Sequence, residues 1–203
     1  MTLIYVPSLK LNFIGERTLQ GKNWYETHKK LQSDGKRMPT PFEFLEFLKY
    51  VKENNQDIYK EITEVRSPWR ANWLDANFKV INEKLHINSN HILDSKGNLV
   101  RENSEVLDKN TLMEDRTPGI SLEDYILENH TYQGLPNKNV KSGDLSYWLL
   151  KRDNWLSRRD NNSVAVFGAY SDGAYLSCKR GPASRYSELG VFAIMNNSEN
   201  NTL

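Results

Sequence analysis

The spacing of apolar positions changes several times along the chain, and each change marks an element. Ile4-Tyr5-Val6 is rich in strand formers, and Leu9, Leu11 and Phe13 alternate with polar neighbours, which predicts strand structure at the start. Residues 23–32 switch to a helical period, with Asn23 as N-cap and Trp24, His28 and Leu31 on one face. The clearest signal follows. Thr40 caps, Pro41 suits the first helical position, and Glu43 completes a capping box. Phe44, Leu45, Leu48 and Val51 then form an apolar stripe that ends near Asn54-Asn55.

Residues 56–110 carry weaker signals. Trp69 and Trp73 lie four apart, a helical spacing that points to core packing. Leu85-His86-Ile87 reads as a strand, the turn at 94–98 leads to a second strand at Leu99-Val100, and the pair predicts a hairpin. Residues 108–119 read as a loop, residues 120–128 as a short helix capped by Ser121, and residues 134–143 as turns. Towards the end, residues 163–167 and 190–194 are compact apolar runs suited to strands. Residues 196–203 form a polar tail, expected to be flexible.

Composition narrows the class. The 203 residues are 38% hydrophobic and 26% charged, enough for one folded domain over 1–203. Net charge is +1, which gives no electrostatic reason to expect duplex nucleic acid as a partner. No run approaches the roughly eighteen apolar residues of a membrane span, so no membrane insertion is expected. The first fifteen residues lack the pattern of a signal peptide, which fits a cytoplasmic or virion-associated protein. Cys178 is the single cysteine, so an internal disulfide is excluded and the residue reads as a small buried side chain.

Two separated pieces resemble a known family. Asn23-Trp24-Tyr25-Glu26, then Gly35-Lys36-Arg37-Met38-Pro39-Thr40-Pro41-Phe42-Glu43-Phe44, is similar to the helix, Gly-Lys-Arg-Leu-Pro-Thr-like turn and capped helix of the formylglycine-generating-enzyme branch of the C-type lectin fold. Phe167-Gly168-Ala169, Leu176-Ser177-Cys178-Lys179-Arg180, Pro182 and Leu189-Gly190-Val191-Phe192-Ala193 resemble the C-terminal part of variable proteins of diversity-generating retroelements. The pieces cover about a third of the chain. The resemblance implies an α+β, C-type-lectin-like fold, with two N-terminal helices packed on short antiparallel strands, loop-rich, and a family-specific insertion at 56–145. It also implies a variable region at 163–194, rewritten by adenine-directed mutagenesis through a reverse transcriptase.

A fold does not fix a function, so the residues need their own reading. The segments 170–175 and 183–188 are rich in Tyr, Ser, Asp and Gly and sit between apolar strands. Tyr gives contact area at low entropic cost, and Ser and Gly adapt, as in antibody paratopes. The expected ligand-binding, variable set is Tyr170, Ser171, Asp172, Tyr175, Ser177, Lys179, Ser184, Arg185, Tyr186 and Ser187. Phe167, Leu176, Cys178, Leu189, Val191 and Ala193 are expected in the core. The expected partner is a protein or glycan ligand on a cell or virion surface.

Catalytic chemistry is poorly represented. Formylglycine-generating enzymes use a cysteine pair with copper, and this chain has Cys178 alone. Leu135-Pro136-Asn137 and Asp153-Asn154-Trp155 do not supply the oxygen ligands of a lectin calcium site. His28, His86, His91 and His130 show no metal-ligand spacing and read as surface or strand-edge residues. No nucleophile elbow or Walker loop is present. Arg66, Arg70, Lys151-Arg152 and Arg158-Arg159 have acidic neighbours in Asp153 and Asp160 and read as a solvated face. No enzyme activity, cofactor or metal is therefore expected. The alternative is a non-diversified enzyme or accessory protein on the same scaffold, distinguishable by where close copies vary.

Overall fold

In the computed structural model, residues 2–149 and 162–196 are described. The element order is β1 (Leu3–Val6), β2 (Leu11–Ile14), α1 (Trp24–Ser33), β3 (Lys36–Arg37), α2 (Pro41–Asn54), α3 (Gln56–Thr63), β4 (Arg70–Ile81), β5 (Lys84–Leu93) and β6 (Leu99–Val106). It continues with β7 (Arg116–Ile120), α4 (Leu122–Leu127), β8 (Leu145–Trp148), β9 (Ser163–Tyr170), β10 (Gly173–Arg180), β11 (Leu189–Gly190) and β12 (Ile194–Met195). The class is α+β.

Local chemistry sets the first two helices. Asn23 accepts from the Glu26 amide at 2.9 Å, and Glu26 accepts from the Asn23 amide at 3.1 Å. Thr40 and Glu43 form the same reciprocal pair at the start of α2, with Pro41 in the first turn. Glu43 also takes both arms of the Arg37 guanidinium, at 2.6 and 2.7 Å. This half-buried fork fixes α2 against the short strand before it.

A four-stranded sheet runs β1-β2-β12-β3. Ile194 pairs with Phe13 on one side and Arg37 on the other, so the last strand is held between elements from the first forty residues. The larger sheet runs β6-β5-β4-β9-β10-β8-β7, with β11 joined in parallel to β4. Its middle strands are buried on both faces. From β4, Leu74, Ala76 and Phe78 pack with Phe13, Phe44, Phe47, Phe167 and Phe192. Ala71 and Trp73 instead pack with Trp24, Leu31, Val164, Val166 and Leu189. Phe13 and Phe47 stack at 4.4 Å in the first core, beneath α2.

These facts correct part of the expected architecture. The stretch 56–145 supplies β4 to the interior of the sheet, between β5 and β9. The strands are not uniformly short or antiparallel: β4 has 12 residues, and β8 pairs with β10 in parallel. Trp73 is core, as read, but on a strand; residues four apart share a strand face as well as a helix face. The loop read at 108–119 gives way to strand at Arg116. The run 163–167 is buried throughout, because β9 has a core on either side. The six expected core residues from Phe167 to Ala193 are all buried. The tail beyond Asn196 and the basic pairs at 151–159 lie outside the described residues.

Strands β4 and β9 approach closely at Gly168. A Cβ there would lie 2.4 Å from the Arg70 carbonyl oxygen and 2.6 Å from the Ala71 Cβ. Gly168→Ala is expected to destabilise by about 1–3 kcal/mol through overpacking. Gly181→Ala meets only ordinary contact at 3.5 Å and serves as the near-neutral control. Urea denaturation midpoints of the two variants test this, and equal midpoints would show that the strands are not packed as described.

Candidate functional site

The loops that follow β9 and β10 meet at one end of the central strand. The β9–β10 hairpin turns through Ser171 and Asp172, both exposed, with Tyr170 paired to Gly173. Gly173 has φ of +127°, a conformation that favours glycine. The second loop, 181–188, is tied down along its length. The Trp24 amide donates to the Pro182 carbonyl at 3.0 Å, and the Ala71 amide donates to the Glu188 carbonyl at 3.1 Å. Arg17 also donates to the Glu188 carbonyl. These bonds hold the loop to α1 and β4.

Between the loops stands Trp69, directly before β4. Its ring lies 5.9 Å from Tyr170 and 5.9 Å from Tyr186. The Arg180 guanidinium sits 5.5 Å from the Tyr186 ring, within cation–π range. Tyr170 is 57% exposed and Tyr186 46%, so two large rings face solvent over a half-buried Trp. Ser184 is half-buried, while Arg185 and Ser187 are exposed. Arg185 reaches Glu26 of α1 at 2.5 Å. The surface offers flat aromatic area, a guanidinium and hydroxyls.

Three members of the expected set lie elsewhere. Tyr175 and Ser177 are buried, at 5% and 8% exposure. β10 is an interior strand between β9 and β8, and Tyr175 packs against Trp148 with ring centroids 5.6 Å apart. Burial pushes the Tyr175 phenol up to about 12. Lys179 is half-buried, and its ammonium is 2.7 Å from Asp115. The sequence reading missed Trp69 and Arg180 as surface components. A Trp at the start of a strand and beside a loop was the available signal for Trp69.

The histidines also depart from expectation. His28 and His91 are buried, not surface residues, and the fold gathers them with Asp75 so that their potential ligand atoms lie within 4.8 Å of one another. A separate open cleft of about 500 Å³ is bordered by Leu107, Leu112, His130, Tyr132 and Gln133. None of the ten expected site residues lines that cleft. Among the described residues, no helix is long and apolar enough to cross a membrane. No known family, curated protein or solved structure matches the chain.

Cys178 is a residue of β10 and is fully buried. Burial pushes its thiol well above the usual range, which keeps it neutral and a poor nucleophile. A thiol-specific chromogenic reagent is expected to leave the native protein unmodified and to label one thiol per chain in denaturant. Rapid labelling of the native protein would contradict this burial.

Proposed function

We propose that the protein is a ligand-binding display protein whose contact surface is built from the loops after β9 and β10. One observation carries this reading: Tyr170, at the end of β9, and Tyr186, on a loop pinned by backbone hydrogen bonds to α1 and β4, stand exposed around Trp69. Large, partly exposed aromatic rings at a fixed spacing are the usual anchors of a recognition site. The exposed neighbours Ser171, Asp172, Arg185 and Ser187 extend the surface with adaptable polar contacts. The pinned frame allows these side chains to change without disturbing either core.

The lectin-like reading is kept within this proposal. Its support is the order of the chain: an N-terminal hairpin, two capped helices, a central sheet, and a final strand returning to pair with the hairpin. Retroelement-driven diversification belongs to the same proposal and rests on the Tyr- and Ser-rich loops between strands whose side chains are core. The partner would be a protein or glycan on a cell or virion surface.

Deep sequencing of the 3′ end of the gene and its flanks in a native population tests the proposal. Substitutions are expected to concentrate at Tyr170, Ser171, Asp172, Ser184, Arg185, Tyr186 and Ser187, and to trace to adenines of a nearby near-copy. They are expected to spare Phe167, Tyr175, Ser177, Cys178 and Val191. An invariant segment with no near-copy would overturn diversification and leave a fixed binding surface to be tested by ligand screening.

A further inference from the structure

Strand β4 is interrupted midway along its pairing with β9. Opposite β9, Trp73 pairs with Val166 and Asn77 with Val164, so residues 74–76 form a bulge outside the ladder. The bulge is stabilised from other elements. The Trp24 indole donates to the Leu74 carbonyl at 3.0 Å, and the Asp75 amide donates to the Pro39 carbonyl at 2.7 Å. The displaced strand places Asp75 beside His28 of α1 and His91 of β5.

The groups lie close and are shielded from solvent. Asp75 Oδ1 is 2.5 Å from His91 Nδ1 and 3.5 Å from His28 Nε2, and Asp75 Oδ2 accepts from the His91 amide at 3.0 Å. The Trp24 ring covers both imidazoles, with centroids 4.3 Å from His28 and 4.9 Å from His91. His28 is only 1% exposed, yet neither of its ring nitrogens has a hydrogen-bond partner. A buried polar group left in that state costs about 1–3 kcal/mol. An apolar residue would fill the same space beside Trp24 without that cost.

We propose that His28, Asp75 and His91 bind one first-row divalent metal ion, zinc being the natural occupant, which fastens α1 to the bulge of β4 and to β5. Two imidazoles and a carboxylate form a recurrent ligand set for such ions. In a tetrahedral zinc site, neighbouring ligand atoms stand about 3.3 Å apart. The two contacts to Asp75 Oδ1, at 2.5 and 3.5 Å, bracket that separation, so side-chain shifts of about 1 Å complete the geometry. Three side chains leave the fourth tetrahedral position to a water molecule, and the ion acts as a structural tie between the three elements. Its position concerns the binding surface too, because α1 carries Trp24 and Glu26, which hold Pro182 and Arg185 of the second loop. The proposal does not depend on what that surface binds.

The test begins with elemental mass spectrometry of the full-length protein after dialysis against metal-free buffer. About one first-row divalent ion per chain is expected. Chelator-stripped protein should gain about 5–10 °C in Tm when Zn2+ is restored at roughly a hundredfold above its Kd. Co2+ added to the stripped protein should give the intense visible absorption of a tetrahedral N/O site. His28→Gln and His91→Gln should each abolish the ion and the Zn2+-dependent shift. Absence of a bound ion together with no Tm response and no Co2+ spectrum in the unsubstituted protein would overturn the proposal, and this arm does not require the variants to fold. Retention of the ion by both folded variants would overturn it equally, by placing the ion elsewhere.

Discussion

Strand β4 must be satisfied on every side at once. It has β5 and β9 along its edges, β11 joined to its start, and a different hydrophobic core on each face. Residues 71–78 are all buried. A strand in that position has little freedom of register, because a slip of one residue would exchange Trp73 and Leu74 between cores of different shape. The bulge at 74–76 adds a second constraint: its backbone groups turn to the Trp24 indole and the Pro39 carbonyl, partners outside the sheet. Helix α1 and the turn before α2 are thereby fixed relative to β4 as well as by packing.

The candidate site inherits its rigidity from this strand. Trp69 enters β4 and separates Tyr170 from Tyr186, while the Ala71 amide holds the end of the second loop. Ordering these loops before a ligand arrives removes much of the entropic cost that binding would otherwise incur. The same strand carries Asp75 to the two histidines, so the surface and the buried polar cluster are two outputs of one element. A change at the cluster that loosened α1 would reach the surface through Pro182 and Arg185.

How much was legible in the sequence depended on how local the determinants were. The Asn23 cap and the Thr40–Glu43 capping box are both local, and the starts of α1 and α2 followed from them. The hairpin of β5 and β6 was readable from its turn, since Asp94 accepts from the Lys96 and Asn98 amides inside the same loop. The central strand was not readable. Residues 70–78 mix apolar side chains with Asn72, Asn77 and the charged Arg70 and Asp75, lack the alternation of a half-buried strand, and carry a Trp spacing that suits either structure. Tyr175 and Ser177 resemble their exposed neighbours in type, and only the parallel pairing of β8 beside them reveals their burial. His28, Asp75 and His91 come from three elements, and no spacing rule registers such a meeting. The absence of metal-ligand spacing was true of the sequence and uninformative about the fold.

Under the proposed function, a fixed scaffold and a replaceable surface share residues 163–194 between them. A saturation substitution scan of residues 163–194, read out by folding stability and needing no ligand, tests this division most directly. Exposed positions 170, 171, 172, 185, 186 and 187 are expected to accept most residue types, charged ones included, within about 1 kcal/mol. Positions 167, 175, 176, 177, 178 and 191 are expected to reject charged residues outright. Equal sensitivity at Tyr170, Tyr186 and Tyr175 would contradict the division, because the rings assigned to the surface would then be part of the core.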